Sequence, residues 1–266
     1  MKQIARLVLS ICLLAVALAP AQVPLTRQGV LAHVASGGLW TTEIVLVNPY
    51  NISVQINVLF YGDDGSPLTL PLVVTQNGTQ DPFSASHVLR VMEGRTTLKI
   101  DTTSPNGPIQ QGWADVQATG AINGFAFFSE PGPGGVALMG TVPLQTQYQD
   151  TMVISFDNTK ASNGTTQLLS AVALANPTSA GADFAVTIYD LSGNKIGSGD
   201  VGLLPNGHKA LVLQDQFFIT GNQAGFVMFK SLSGSPILGL GLRFATPDGT
   251  FTSIPSILPS ITAGPL

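Results

Sequence analysis

The groups in this chain that could move protons or hold a metal are three imidazoles, His33, His87 and His208, and 15 carboxylates. No imidazole stands at ligand spacing from another or from a pair of acids, so each reads as a structural or surface residue. Asp63, Asp64 and Asp190 are weak candidates for calcium, through carboxylate and turn carbonyl oxygens. The Gly62-Asp63-Asp64-Gly65 and Asp190-Leu191-Ser192-Gly193 runs around them read more simply as turns. No metal site, no cofactor and no catalytic residue is expected, because no Ser, His and acid share a recognisable motif and nothing marks two carboxylates as a pair. Gly197-Ser198-Gly199-Asp200-Val201-Gly202 matches a dinucleotide fingerprint by letter. That motif must open a helix, whereas here Pro205 and Gly207 follow and no βαβ unit surrounds it. Trp40, Tyr50, Tyr61 and Trp113 are weak candidates for ligand binding, as rings that could stack on a sugar.

What positions these side chains is a repeat. Asn48 opens NPYNISVQINVLFYGDDG and Asn176 opens NPTSAGADFAVTIYDLSG, with Tyr 13 positions and Gly 17 positions after the Asn in both, at a constant offset of 128. Val54, Ile56, Val58 and Phe60 alternate with Gln55, Asn57, Leu59 and Tyr61, and Phe184, Val186 and Ile188 fall at the matching places. A period of two is that of a strand with one face in a core. A second echo pairs Gly112 with Gly225, Trp113 with Phe226 and Gly124 with Gly239. The alignment of Trp113 with a Phe favours packing over sugar stacking for that ring. PLTLPLVV and NKIGSGDVGLL are expected to return as the strands after the two turns.

Met1 to Ala21 has the form of an export leader: Lys2 and Arg6, an apolar run from Leu7 to Leu18, and a small-x-small site at Ala19-Pro20-Ala21. The sole cysteine, Cys12, lies inside it, so the remainder is expected to have neither disulfide nor cysteine-bound metal. Lys2 and Arg6 leave with the leader, which reduces 11 basic residues to nine against 15 acids and takes the net charge from −4 to −6. That balance argues against nucleic acid or an anionic membrane as partner. Charged residues make up only 10% of the chain, and no later apolar run is long enough to span a bilayer.

Gly (29) and Pro (18) are scattered too densely for long helices. The expected fold is therefore all-β, with two tandem antiparallel β-sandwiches, immunoglobulin-like or jelly-roll-like, after the leader. The divisions are residues 1–21, 22–147 and 148–266, with the polar LQTQYQ at the boundary.

SFDNTKASNGTTQLLSAVALANP, LPNGHKALVL and ILGLGLRFATPDGTFTSIPSIL resemble the repeat unit of a set of secreted proteins of environmental bacteria. LAHVASGGLWTTEIVLVNP and QQGWADVQATGAINGFAFF are similar to the companion unit placed before it. The resemblance implies export and a β-sandwich tandem, and it carries no activity. The function expected is a non-catalytic structural or adhesive module in the periplasm or extracellular space, engaging an envelope component, a glycan or a protein. The alternatives are a carbohydrate-binding module and, behind it, a hydrolase using dispersed carboxylates. The copies share their folding residues and do not match at the exposed positions Gln55, Asn57, Ala185 and Thr187, so function is sought where the copies differ.

Overall fold

The computed structural model describes residues 23–103, 106–135, 137–247 and 249–259. The expected leader, with Lys2, Arg6 and Cys12, lies outside the described residues. The described chain is all-β, but it forms four small antiparallel sheets arranged as a four-bladed β-propeller, which corrects the expectation of two tandem β-sandwiches.

Sheet 1 has the order β1 (Thr26–Ser36), β8 (Gln110–Ala118), β3 (Val54–Gly62), β6 (His87–Met92). Sheet 2 runs β10 (Ala137–Pro143), β9 (Asn123–Pro131), β2 (Thr41–Val47), β7 (Thr97–Thr102), β4 (Leu70–Gln76), β5 (Thr79–Ala85). Sheet 3 runs β11 (Thr151–Asp157), β16 (Ala224–Ser231), β13 (Ala182–Asp190), β14 (Lys195–Leu203). Sheet 4 runs β15 (His208–Val212), β12 (Gln167–Ala175), β17 (Leu238–Thr246), β18 (Thr250–Pro255). A single helical turn, α1 (Leu213–Gln216), follows β15.

Where the sequence alternates, the strands behave as alternation requires. In β3, Val54, Ile56, Val58 and Phe60 are buried and their neighbours half-buried; β13 repeats this with Phe184, Val186 and Ile188. The sandwich expectation fails at strands buried on both faces. Val30 to Ser36 of β1 and Ser170 to Ala175 of β12 are buried without interruption. A two-layer sandwich leaves one face of each sheet to solvent, whereas continuous burial means that each of these strands is covered from both sides. Sheet 1 is the clearest case. One face shares a core with sheet 2, through Ile56, Val58 and Phe60 against Ile44, Leu46 and Leu72, and Ala171, Leu240 and Leu242 of sheet 4 join that same cluster. On the other face, Val30 and Trp113 pack with Ala175 and Leu238 of sheet 4. Sheets 3 and 4 share a further core around Phe184, Phe229, Val172 and Leu174. Sheets 2 and 4 meet where Phe128 stacks on Phe251 at 5.4 Å and Ser253 Oγ accepts the Thr141 N–H.

The return strands also divide differently from expectation. NKIGSGDVGLL does return, as β14 beside β13. PLTLPLVV instead crosses to sheet 2 as β4, and β6 takes the place beside β3. The β4–β5 hairpin is thus an addition peculiar to the first copy.

Candidate functional site

The two echoes meet in space. β3 pairs with β8 so that Tyr61 faces Trp113, and β13 pairs with β16 so that Tyr189 faces Phe226. Both pairs stack, with centroids 4.9 and 4.7 Å apart and planes 19° and 18° from parallel. Cross-strand aromatic pairs of this kind hold register, which explains why Tyr recurs. The recurring Asn is a buried clamp. Asn48 Nδ2 donates to the carbonyls of Ile52 and Glu93, and Asn176 Nδ2 to those of Ala180 and Leu204. Their Oδ1 atoms accept the Tyr50 and Thr178 amides.

Where the copies differ, polar chemistry gathers between them. Asp63 stands where the second copy has Leu191. Its Oδ1 lies 2.7 Å from His208 Nδ1, and His208 Nε2 lies 3.3 Å from His33 Nδ1. The carboxylate must accept, so His208 Nδ1 carries a proton, and one further proton bridges His208 Nε2 and His33 Nδ1. Gln111 Nε2 donates to Asp63 Oδ2, and the His208 amide donates to the Asp63 carbonyl. His33 and His208 are buried, and burial, reinforced by the neighbouring His208, pushes the His33 pKa down to about 3. For Asp63, burial acts upward, but the hydrogen bonds from His208 and Gln111 outweigh it and hold the carboxyl below its usual range.

Beside this chain, Trp113 donates its indole N–H to the Asn206 carbonyl at 2.7 Å, a bond that Phe226 lacks the donor to make. Arg27 grips the buried Asp115 with two bonds, Nε to Oδ1 at 2.7 Å and Nη2 to Oδ2 at 2.9 Å, and its Nη1 reaches the Pro177 carbonyl. A planar fork on a carboxylate is a strong, directional pair, and here it ties residue 27 to the second copy.

A cleft of about 240 Å³ opens next to His33, lined by Trp40, Phe128, Ala171, Leu242, Phe244 and Gln111. The Nε2 of His33 has no hydrogen-bond partner among the described residues. A general base works best with a pKa near the ambient pH. An imidazole held near 3 is a weak base, and the cleft lining contains no hydroxyl or carboxylate side chain to act with it.

The sequence candidates fall in different places. Trp113 is buried and Tyr61 half-covered beneath it; Trp40 packs on Phe128 and Phe251; Tyr50 is exposed on the loop after Asn48. The four rings therefore do not line up on one face. Asp64 accepts from the Ser66 amide and hydroxyl, and Asp190 from the Ser192 and Asn194 amides, so both cap their own turns. These bonds lower both carboxyl pKa values, the side-chain ones from Ser66 and Asn194 most. Among the described residues no three His, Cys, Asp or Glu side chains are grouped to hold a metal ion. His87 is exposed at the start of β6. The fingerprint look-alike Gly197 to Gly202 lies in β14, where Gly197 and Gly199 make room for Ile219 and Phe217. The sequence reading missed the Asp63–His208–His33 chain and the Arg27–Asp115 pair. Their signal was the mismatch between copies, Asp63 against Leu191 and Trp113 against Phe226.

No protein-family model matches this sequence, and no curated protein does.

Proposed function

We propose that the chain is an exported, non-catalytic structural or adhesive module of the bacterial envelope or extracellular space, related to the secreted repeat units that it resembles. The observation that carries this reading is the use to which its chemically capable groups are put. Asp63 and His33 hold His208 across the junction between the copies, Trp113 and Arg27 reach the Asn206 and Pro177 carbonyls across it, and Arg27 also grips Asp115 of its own copy. His33, the one imidazole facing a cleft, is held neutral and weakly basic. Such groups fix a relative orientation, which is what a structural part requires, and they leave recognition to the surface. Crosslinking in intact producing cells, followed by capture of the chain from the envelope fraction, tests the reading. It predicts a discrete crosslinked partner. Recovery of the chain alone, with all of it free in the medium, would refute the reading.

A further inference from the structure

The chain buries the outer face of its first copy's sheet 1 against the second copy and carries both halves of a second such contact. In the first copy, the outer face of sheet 1 and the turn after β3 are covered by the second copy. Trp113 is 0% exposed, its indole bonds the Asn206 carbonyl, Asp63 holds His208, and Arg27 reaches the Pro177 carbonyl. Gly65 lies so close that a Cβ there would sit 1.9 Å from the Pro205 carbonyl oxygen.

Sheet 3 presents the equivalent face in the second copy, and there it is open. The Tyr189–Phe226 stack, Val153, Ser155 and the turn at Leu191 line a shallow groove with Ile257. Leu191 is 83% exposed and Ile257 58%. The surface that fills this kind of face, the loop Pro205 to His208 with Pro177, has its own counterpart in the first copy at Gly94 to Thr97 with Pro49. The two loops have one shape. Asn206 and Arg95 have φ of 53° and 61°, their amides donate to the carbonyls of Thr178 and Tyr50, and each is clamped by its buried Asn. This counterpart is uncovered as well, with Pro49, Arg95 and Tyr50 exposed, the last at 53%.

We infer that a second copy of this chain docks head to tail, its Pro49–Tyr50 and Gly94–Thr97 loops seated on the Leu191–Phe226 face of sheet 3, repeating the junction that each chain already makes internally. The side chains fit this occupant. Leu191 replaces Asp63 and Phe226 replaces Trp113 on the face, while Thr97 replaces His208 and the exposed ring of Tyr50 replaces Thr178 on the loop, so the Asp63–His208 and Trp113–Asn206 side-chain bonds lose donor and acceptor chemistry and an aliphatic and an aromatic side chain stand in their place. The two surfaces lie on different copies, so the contact is heterologous and can propagate into a filament.

This inference rests on the reading of the chain as a structural module. Sedimentation velocity of the purified exported protein over a concentration series tests it, with Leu191→Asp and Tyr50→Asp as variants that each spoil one surface. Both positions are exposed, so circular dichroism and Tm should match the parent. The wild type should self-associate, and each variant alone should associate about tenfold more weakly or worse, as expected for a charge placed in an apolar contact. An equimolar mixture of the variants should recover a one-to-one dimer that does not grow, since each retains the surface that the other lacks. A wild type that stays monomeric throughout, variants that associate like the parent, or a mixture that stays monomeric would each overturn the inference. A crosslinked envelope partner found for a monomeric wild type would overturn the assembly alone and leave the structural reading standing.

Discussion

His33 is a buried imidazole, and it makes the stability of the protein depend on acid. Its imidazole has an ordinary pKa of 6.5 and a folded value of about 3, because burial and His208 both disfavour the cation. Below 6.5 the unfolded chain therefore binds a proton at this residue that the folded chain refuses until about pH 3, so stability falls as the pH drops through that window. The loss reaches roughly 5 kcal/mol at the acid end, because each pH unit between the unfolded and folded values costs about 1.36 kcal/mol. Asp63, lowered in the same cluster, adds loss in the same direction below the ordinary carboxylate range. Thermal melts of the wild type should show Tm falling steadily from about pH 6.5 downward. His33→Leu should melt lower at neutral pH, because the buried His208 Nε2 loses its hydrogen-bond partner at a cost of about 1–3 kcal/mol, and should show a flatter acid limb. Equal slopes for the two proteins would refute the assignment.

At the scale of elements, alternation and turn chemistry made β3, β13 and their turns legible from the residues alone, and the recurring Tyr and Gly proved to be folding instructions. Two things were not legible. PLTLPLVV has the pattern of any half-buried strand, and nothing in it says that β4 pairs with β7 rather than returning beside β3. The Gly-x-Gly run of β14 was legible as part of a return strand, but the reason for its glycines was not. Its purpose is steric, since a Cβ on Gly199 would lie 2.8 Å from Phe217 Cε1 and one on Gly197 would lie 2.8 Å from Ile219 Cγ2. Gly199→Val should therefore destabilise the protein by about 1–3 kcal/mol through overpacking against Phe217. Ser198→Ala, on the exposed side of the same strand, should stay within about 0.5 kcal/mol of wild type. Urea unfolding distinguishes the two, and equal midpoints would remove this account of the glycines.

For the whole molecule, most strands could be read from the sequence, β5 with its polar residues and Pro82 read as a loop, and the assembly could not be read. The mostly apolar stretches LAHVA and LLSAVALA, each broken by one polar residue, did carry a sign that β1 and β12 are covered on both sides. Such a run does not name the sheet that covers it, and the contact of His33 with His208 spans 175 positions that no local pattern connects. The mismatches between copies were more informative than the matches, because Asp63 and Trp113 hold the second copy while their counterpart Leu191 is exposed and Phe226 only half-buried. One face of the repeat is thus closed within the chain, and the same face is free one copy later. Hydroxyl-radical labelling of dilute protein, read by mass spectrometry and scaled to the unfolded chain, measures both faces at once. Strong protection of Trp113, with ready oxidation of Leu191 and clearly greater labelling of Phe226 than of Trp113, is the result predicted, and equal labelling of Trp113 and Phe226 would contradict it.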